Sequence, residues 1–309
     1  MTALEHSLWI AVRAGTPILL ATLGEVYAER SGVLNLGVEG MMIMGAVAGF
    51  VTAYLTGNVL LGFLAAVLAG VSIAFIHAFV SVTLRGNQVI SGLALTMLGL
   101  GLSALIGRSY VGAKLPFSIL TVKIPVLSKI PVIGPSLFNQ DLVVYFSYIL
   151  VAILWWLLYH TKLGISIRAV GEDPSAADSA GVNVYAIRYA CTLLGGALAG
   201  LGGAYLSLVY TPSWIENMTA GKGWIAIALV IFAMWDPIRA MVGSYLFGGL
   251  EALQYYLQLT YGWDPCLLGT IPYVATIIAL LFGVSETLRK RVGAPSALGK
   301  PYFREEKTL

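Results

Sequence analysis

The sequence predicts an all-α polytopic membrane protein of about nine transmembrane helices, some of them broken. Three observations predict it. Hydrophobic residues make up 58% of the 309 and charged residues only 11%, whereas a soluble domain carries roughly 25% charged residues. The mean hydropathy of +0.85 means that the chain lacks the polar groups to cover a water-facing surface. Apolar runs close to the roughly 20 residues that a bilayer core asks of a helix recur along the whole chain. The same composition excludes disorder, a disulfide scaffold and a nucleic-acid binder.

In chain order the runs are Leu8–Tyr27, Val38–Tyr54, Val59–Leu84, Ile90–Tyr110, Val143–Tyr159, Tyr189–Tyr210, Met218–Trp235, Ile238–Leu259 and Leu267–Ser285. The seventh is cleanly apolar only from Trp224 to Met234 and reads as a broken or partial span. Met1–His6 holds no Lys or Arg, so no cleavable signal is expected and the first run reads as a permanent span. Cys191 and Cys266 lie in or beside apolar runs and suggest neither a metal site nor a redox pair.

Charge predicts the orientation. With the C-terminus inside, twelve Lys and Arg fall on the inner side, namely Arg30, Arg85, Lys162, Arg168, Arg188, Arg239, Arg289, Lys290, Arg291, Lys300, Arg304 and Lys307. Lys114, Lys123, Lys129 and Lys222 fall outside, and Arg13 and Arg108 near outer span ends read as snorkelling. An odd number of spans then places the N-terminus outside. The expected organisation is a transmembrane part over 1–288, with an outer loop at 111–142 and an inner loop at 161–187, and a basic tail over 289–309. The outer loop carries Pro116, Pro125, Pro131 and Pro135 and reads as a lid or docking surface.

Within the inner loop, Asp173 can cap a helix, Pro174 suits its first position and Gly181 suits a left-handed end. Ala176, Ala177 and Ala180 share one face of that helix. A helix of two turns is marginal alone in water. Its small Ala face fits a groove on another protein better than a bilayer surface, which calls for large apolar residues.

This stretch, Arg168–Gly181, resembles the coupling-helix loop of ABC importer permeases of the branched-chain amino acid and simple-sugar superfamily. Three other stretches resemble that family's signatures in the same order: Gly24–Gly40, Gly86–Gly92 and Thr219–Phe232. The likeness is closest to the shorter permease of nucleoside-type importers. It implies a short cytoplasmic coupling helix in which Gly171, Glu172, Asp173, Pro174, Ala176, Ala177, Ala180 and Gly181 meet an ABC ATPase subunit. It also implies a second permease, homologous or identical, and an extracytoplasmic solute-binding protein. No cofactor is expected on this chain, with ATP and Mg on the partner ATPase. The expected location is a bacterial cytoplasmic (inner) membrane, and the expected solute a nucleoside, or otherwise a simple sugar.

Ionisable groups inside a membrane are functional candidates. Glu25, Glu29, Arg30, Asn35 and Glu39 crowd the end of the first run and the start of the second, where Gly32, Gly37 and Gly40 break the helical pattern. Either they line a pathway, as broken helices do in transporters, or they form a solvated turn in which Glu29 or Glu25 pairs with Arg30. Asn35 and Glu39, four residues apart, are expected on one helical face towards the pathway. Asn87 and Gln88 face the pathway or cap a helix. Gly196, Gly200 and Gly203 form a small-residue face for helix packing. Trp214 and Trp224 read as interface anchors.

Several patterns carry no chemistry. Gly99–Ala104 has no strand before it, and Gly293–Pro301 lacks phosphate-loop spacing and the required Ser or Thr, so no ATPase is expected in this chain. His6, His77 and His160 are scattered. A rival reading, an ion-gradient-driven secondary transporter, predicts coupling carboxylates at mid-membrane and an internal repeat, which the sequence does not display.

Overall fold

The computed structural model describes residues 3–116, 119–283 and 293–304. The helices in order are α1 (Ala3–Arg30), α2 (Val38–Thr56), α3 (Val59–Ala78), α4 (Gln88–Gly107), α5 (Ile133–Leu137), α6 (Leu142–His160), α7 (Lys162–Glu172), α8 (Pro174–Ser179), α9 (Val184–Tyr205), α10 (Lys222–Phe232), α11 (Pro237–Tyr261), α12 (Pro265–Leu268) and α13 (Ile271–Gly283). A two-residue hairpin pairs β1 (Val122–Lys123) with β2 (Asn139–Gln140) inside the 111–142 loop. Single turns of π-helix extend α3 through Thr83 and α9 through Tyr210.

Among the described residues six helices are long and apolar enough to cross a membrane: Leu4–Arg30, Val38–Thr56, Val59–Thr83, Gln88–Tyr110, Leu142–His160 and Val184–Tyr210. The chain is therefore an all-α polytopic membrane protein, and six of the nine expected runs meet that standard. α10 is only 11 residues long, and α13 has 13 described residues. α11 is long, at 25 residues, but interrupts its apolar face with Glu251, Gln254 and Gln258. Residues 284–285 of the ninth run, the boundary at 288–289, and Arg289, Lys290, Arg291 and Lys307 lie outside the described residues.

Asn and Asp start many of these helices. Asn58, Asn87, Asp141, Asp173, Asn183 and Asp236 each accept a backbone N–H in the first turn of α3, α4, α6, α8, α9 and α11. Such caps satisfy donors that a helix end leaves without an internal partner. α1, α2 and α9 are the inner helices, with 72%, 67% and 78% of their central windows buried, against 28%, 33% and 28% for α3, α4 and α6. The outer helices are the more apolar in composition, as lipid contact demands, while the inner ones carry Gly and Ala where backbones touch.

Gly196, Gly200 and Gly203 lie at those contacts. A Cβ on Gly196 would stand 2.5 Å from the Gly70 carbonyl oxygen of α3; one on Gly200 would meet the Ala66 carbonyl, and one on Gly203 the Met42 carbonyl of α2. The small-residue face thus packs within this chain.

The two faces of the bundle are distinct. At one, the loop face, Trp9 Nε1 donates to the Asn139 carbonyl at 2.7 Å, so the start of α1 meets the 111–142 loop. Arg13 does not simply snorkel there. Its guanidinium pairs with the fully buried Asp141 at 3.5 Å, and Tyr205 donates to the same carboxylate at 2.9 Å. At the opposite, tail face, residues 293–304 strap across the end of α1, α7 and α8. Ala297 N–H donates to the Gly171 carbonyl at 2.9 Å, Gly299 N–H to the Gly32 carbonyl at 3.2 Å, and Arg188 to the Lys300 carbonyl at 3.1 Å.

Trp214 is fully buried against Gly107, and Trp224 is 38% exposed. The expectation of an interface anchor therefore fails for Trp214. The 111–115 segment holds it inside: Gly112 N–H donates to its carbonyl, and its own N–H donates to the Ala113 carbonyl.

Candidate functional site

Two chain segments re-enter the membrane and meet at one carboxylate. After α1 ends at the tail face, residues 31–37 turn back inward without helix. Asn35 N–H donates to Glu25 at 3.1 Å, and Leu34 N–H donates to Gln88 at 2.7 Å. α2 then starts beside the middle of α4, where Gly40 and Gly99 touch backbone to backbone. Gly99 lies about 17 Å along α4 at 1.5 Å per residue. The second segment, 211–221, descends from the loop face. It carries Asn217, Ala220 and Gly221 in left-handed conformations before α10 begins.

Glu39 joins them. It is 2% exposed, and its carboxylate accepts from the Thr219 hydroxyl at 2.6 Å, Gly221 N–H at 2.9 Å and Gly223 N–H at 2.6 Å. A carboxylate at a helix N-terminus satisfies free N–H groups and the positive end of the dipole. Gly223 is required by proximity, because a Cβ there would stand 2.5 Å from the Glu39 Cα. The stretches Gly24–Gly40 and Thr219–Phe232 thus share one buried bond network. α10 is about 16 Å long and runs back to the tail face, so its start lies near mid-depth of a core about 30 Å thick.

Beside that start, Lys222 Nζ donates to Glu251 Oε2 at 2.7 Å, with each side chain 14% exposed. Recesses of about 220 and 230 Å³ flank the pair. Both are bounded by Ala220, Lys222, Glu251 and Tyr255; the first adds Ile18, Gln254 and Tyr273, and the second Tyr210, Glu216 and Asn217. Ile18 lies about 18 Å from the tail-face end of α1, and Glu251 about 21 Å along α11. Three helices therefore agree on a mid-membrane depth. Ionisable groups at such a depth face a bundle interior or a water-filled cavity.

Sequence reasoning placed Lys222 in an outer segment and missed Glu251. The available signal was the weak seventh run, too short to span and preceded by polar residues.

The residues expected along the pathway are placed differently. Asn35 is outside any helix and fully buried. Its side-chain oxygen accepts from Gly37 N–H at 3.0 Å, so it shapes a turn and shares no helical face with Glu39. Neither borders the recesses. Asn87 caps α4 through Ile90 N–H at 3.1 Å, and Gln88 holds the re-entrant Leu34. They border a separate recess of about 360 Å³ at the tail face, with Arg85, Gly299 and Pro301. The alternative of a solvated turn in which Arg30 pairs with Glu29 or Glu25 is not formed. Arg30 donates to the Met234 and Trp235 carbonyls, each at 3.2 Å, and Glu29 accepts from the Trp235 indole at 2.5 Å.

At the tail face, α8 forms between Asp173, which accepts from Ala176 N–H at 2.9 Å, and Gly181, which is left-handed. Glu172, Asp173, Ala176, Ala180 and Gly181 are exposed, and Pro174 is half-buried. Ala177 does not share the free face expected of it. It is 4% exposed and packs against Val170, Val184 and Tyr302, because a six-residue helix needs a platform and the chain supplies its own. Gly171 is also buried, against the Arg30 carbonyl and Pro295. Glu172 accepts from the Ser296 hydroxyl at 2.9 Å, and Arg304 pairs with Asp178 at 3.1 Å. Burial and the nearby Asp178 carboxylate raise the Tyr302 phenol above its ordinary range. Among the described residues no group of His, Cys, Asp and Glu is arranged to hold a metal.

The chain is 35% identical to the guanosine ABC transporter permease protein NupQ of Bacillus subtilis, with 93% of each chain covered. It is 35% identical to the nucleoside ABC transporter permease protein NupC of Lactococcus lactis, with 94% of each covered. It is 43% identical to TsgC13 of Haloferax volcanii, provisionally named a glucose ABC transporter permease protein, over 95% of this chain and 96% of that one. In fold it is similar to a structure described as the inward-facing conformation of a metal-chelate type ABC transporter. That likeness has a TM-score of 0.52 at 14% identity, over 89% of this chain and 85% of the other. Residues 8–282 match the family described as branched-chain amino acid transport system, permease component; the chain belongs to that family and is a permease subunit of an ABC importer rather than an enzyme.

Proposed function

We propose that this chain supplies one half of the translocation pathway of an ATP-driven importer in a cytoplasmic membrane, and that the solute carries a sugar ring. The observation that carries the reading is the Lys222–Glu251 pair at mid-depth between two shallow recesses. Each recess is smaller than the roughly 300–1,000 Å³ of a complete small-molecule pocket. That size suits one wall of a route whose other wall comes from a second permease, homologous or identical. Nucleosides stand first as solutes because NupQ and NupC are named for them, and a simple sugar stands second on the likeness to TsgC13.

The tail face is read as cytoplasmic and the N-terminus as outside. The basic residues Arg30, Arg85, Lys162, Arg168, Arg188, Arg239, Lys300 and Arg304 gather on the tail side of the chain, and basic residues favour the cytoplasmic side. The described spans below residue 284 form the membrane part, and the tail from 289 is its cytoplasmic end. An ABC ATPase subunit docks on Glu172, Asp173, Ala176, Ala180 and Gly181, which leave α8 exposed, and a solute-binding protein docks at the loop face. Asn35, Glu39 and Gln88 brace the re-entrant segments, Asn87 caps α4, and Lys222 and Glu251 take the pathway role.

The test is uptake into proteoliposomes holding this chain with its partner permease, ATPase and binding protein. ATP-dependent accumulation of labelled guanosine is expected. Glucose accumulated in its place moves the assignment to the sugar reading. Uptake by this chain alone without ATP overturns the importer reading in favour of a gradient-driven carrier.

A further inference from the structure

We propose that the Lys222–Glu251 pair is the contact for a vicinal diol on the solute's sugar ring. The inference rests on the solute reading above and deepens it. Lys222 Nζ makes one hydrogen bond among the described residues, to Glu251 Oε2. An ammonium has three donors, so two remain for a ligand. Glu251 Oε1 has no hydrogen-bond partner among the described residues, and each carboxylate oxygen can accept more than one bond. The pair therefore presents unused donors and an unused acceptor side by side, at 2.7 Å between the charged atoms. Two adjacent hydroxyls match that pattern. One donates to Glu251 Oε1 while its neighbour accepts from Lys222 Nζ.

Charge narrows the class further. Lys222 and Glu251 cancel, and Glu216 at the edge of the second recess leaves the lining net negative. A phosphate or carboxylate entering beside Lys222 would meet the half-buried Glu251 carboxylate and pass the exposed Glu216, and like charges repel. A lone cation would displace Lys222 from its partner. A neutral polyol disturbs neither charge. The rings of Tyr255 and Tyr210 border the same space and offer apolar faces to a sugar or base. The site takes nucleosides or neutral sugars and rejects nucleotides.

The experiment uses the complete importer in proteoliposomes, with the binding protein saturated by each solute so that its own preference does not enter. Initial ATP-dependent uptake is compared for guanosine against 2′,3′-dideoxyguanosine, and for glucose against 3-deoxyglucose. The wild type is expected to carry the diol form of its solute at least tenfold faster than the deoxy form. E251Q and K222M are expected to bring that ratio towards one. The ratio is the readout, so poor membrane insertion of a variant does not imitate the effect, and the wild-type comparison stands without the variants. Equal wild-type rates for the diol and deoxy forms overturn the diol contact while leaving the importer reading intact. A variant that lowers both rates and keeps the ratio also overturns it. Absence of ATP-dependent uptake of both guanosine and glucose defeats the solute reading itself, and the diol contact with it.

Discussion

Removing the Glu39 carboxylate should loosen the start of α10 without unfolding the bundle. The carboxylate holds two backbone N–H groups and one hydroxyl at 2.6–2.9 Å in a site 2% exposed. A buried donor left without its acceptor costs about 1–3 kcal/mol. Glu39→Gln keeps one accepting oxygen and turns an NH2 towards a donor, so one unsatisfied contact and about 1–3 kcal/mol are expected. Glu39→Ala leaves both the Gly221 and Gly223 amides unpaired; two such losses amount to about 2–6 kcal/mol, with the Thr219 hydroxyl free to rotate to another acceptor. The assay is hydrogen exchange of the 219–227 segment in nanodiscs, because local opening reports local stability. A change of about 1–3 kcal/mol corresponds to about 5–150-fold faster exchange. Exchange should rise from wild type to Gln to Ala in that segment and stay unchanged in α3. Equal protection in wild type and Glu39→Ala would refute the reasoning, since the amides would then have another acceptor.

Other substitutions separate the roles at the tail face and in the core. Ala177→Leu overpacks the contact with Val170, Val184 and Tyr302 and should destabilise by about 1–3 kcal/mol, seen as a lower Tm in detergent. Ala176→Glu and Ala180→Glu, on exposed positions, should leave Tm unchanged and reduce co-purification of the ATPase subunit. Gly200→Leu drives a side chain into the backbone of Ala66 and Gly70, and should abolish a monodisperse gel-filtration peak. Asp141→Leu removes the partner of Arg13 and Tyr205 together with the α6 cap, and breaking a buried pair costs about 3–5 kcal/mol; a Tm unchanged from wild type would exclude a stabilising role for that pair.

Features that depend on near neighbours in sequence were legible. The Asp173–Pro174 start and Gly181 end of α8 follow from local backbone chemistry, and the Asn87 cap was among the readings available. The six long spans follow from hydropathy, and the glycine face of α9 follows from spacing. Features that join distant parts were not. Glu39 and Thr219 are 180 residues apart, and nothing in either segment reveals that they meet. The charge pattern puts Lys222 on the outer side because alternating spans leave no place for a segment that enters and returns. Ala177 and Ala176 are equivalent in sequence, and only the packing of Ala177 against the distant Val184 and Tyr302, with Val170, distinguishes them.

That strap makes one mechanical body of parts that are separate in sequence. Ser296 on Glu172, Ala297 on Gly171, Gly299 on Gly32 and Arg304 on Asp178 tie α8, α7 and the end of α1 at four points. With these ties α8 is not a free loop, and a force applied there would reach Gly32 and the foot of α1. The part of α1 after Pro17 is unbroken helix, and about 18 Å along it from Arg30 stands Ile18, in the wall beside Lys222 and Glu251. Under the proposed docking of an ATPase on α8, this linkage would act as a lever with its handle at the tail face and its working end beside Lys222 and Glu251. Cutting any one tie leaves three, so the linkage should weaken in steps rather than fail at a single residue.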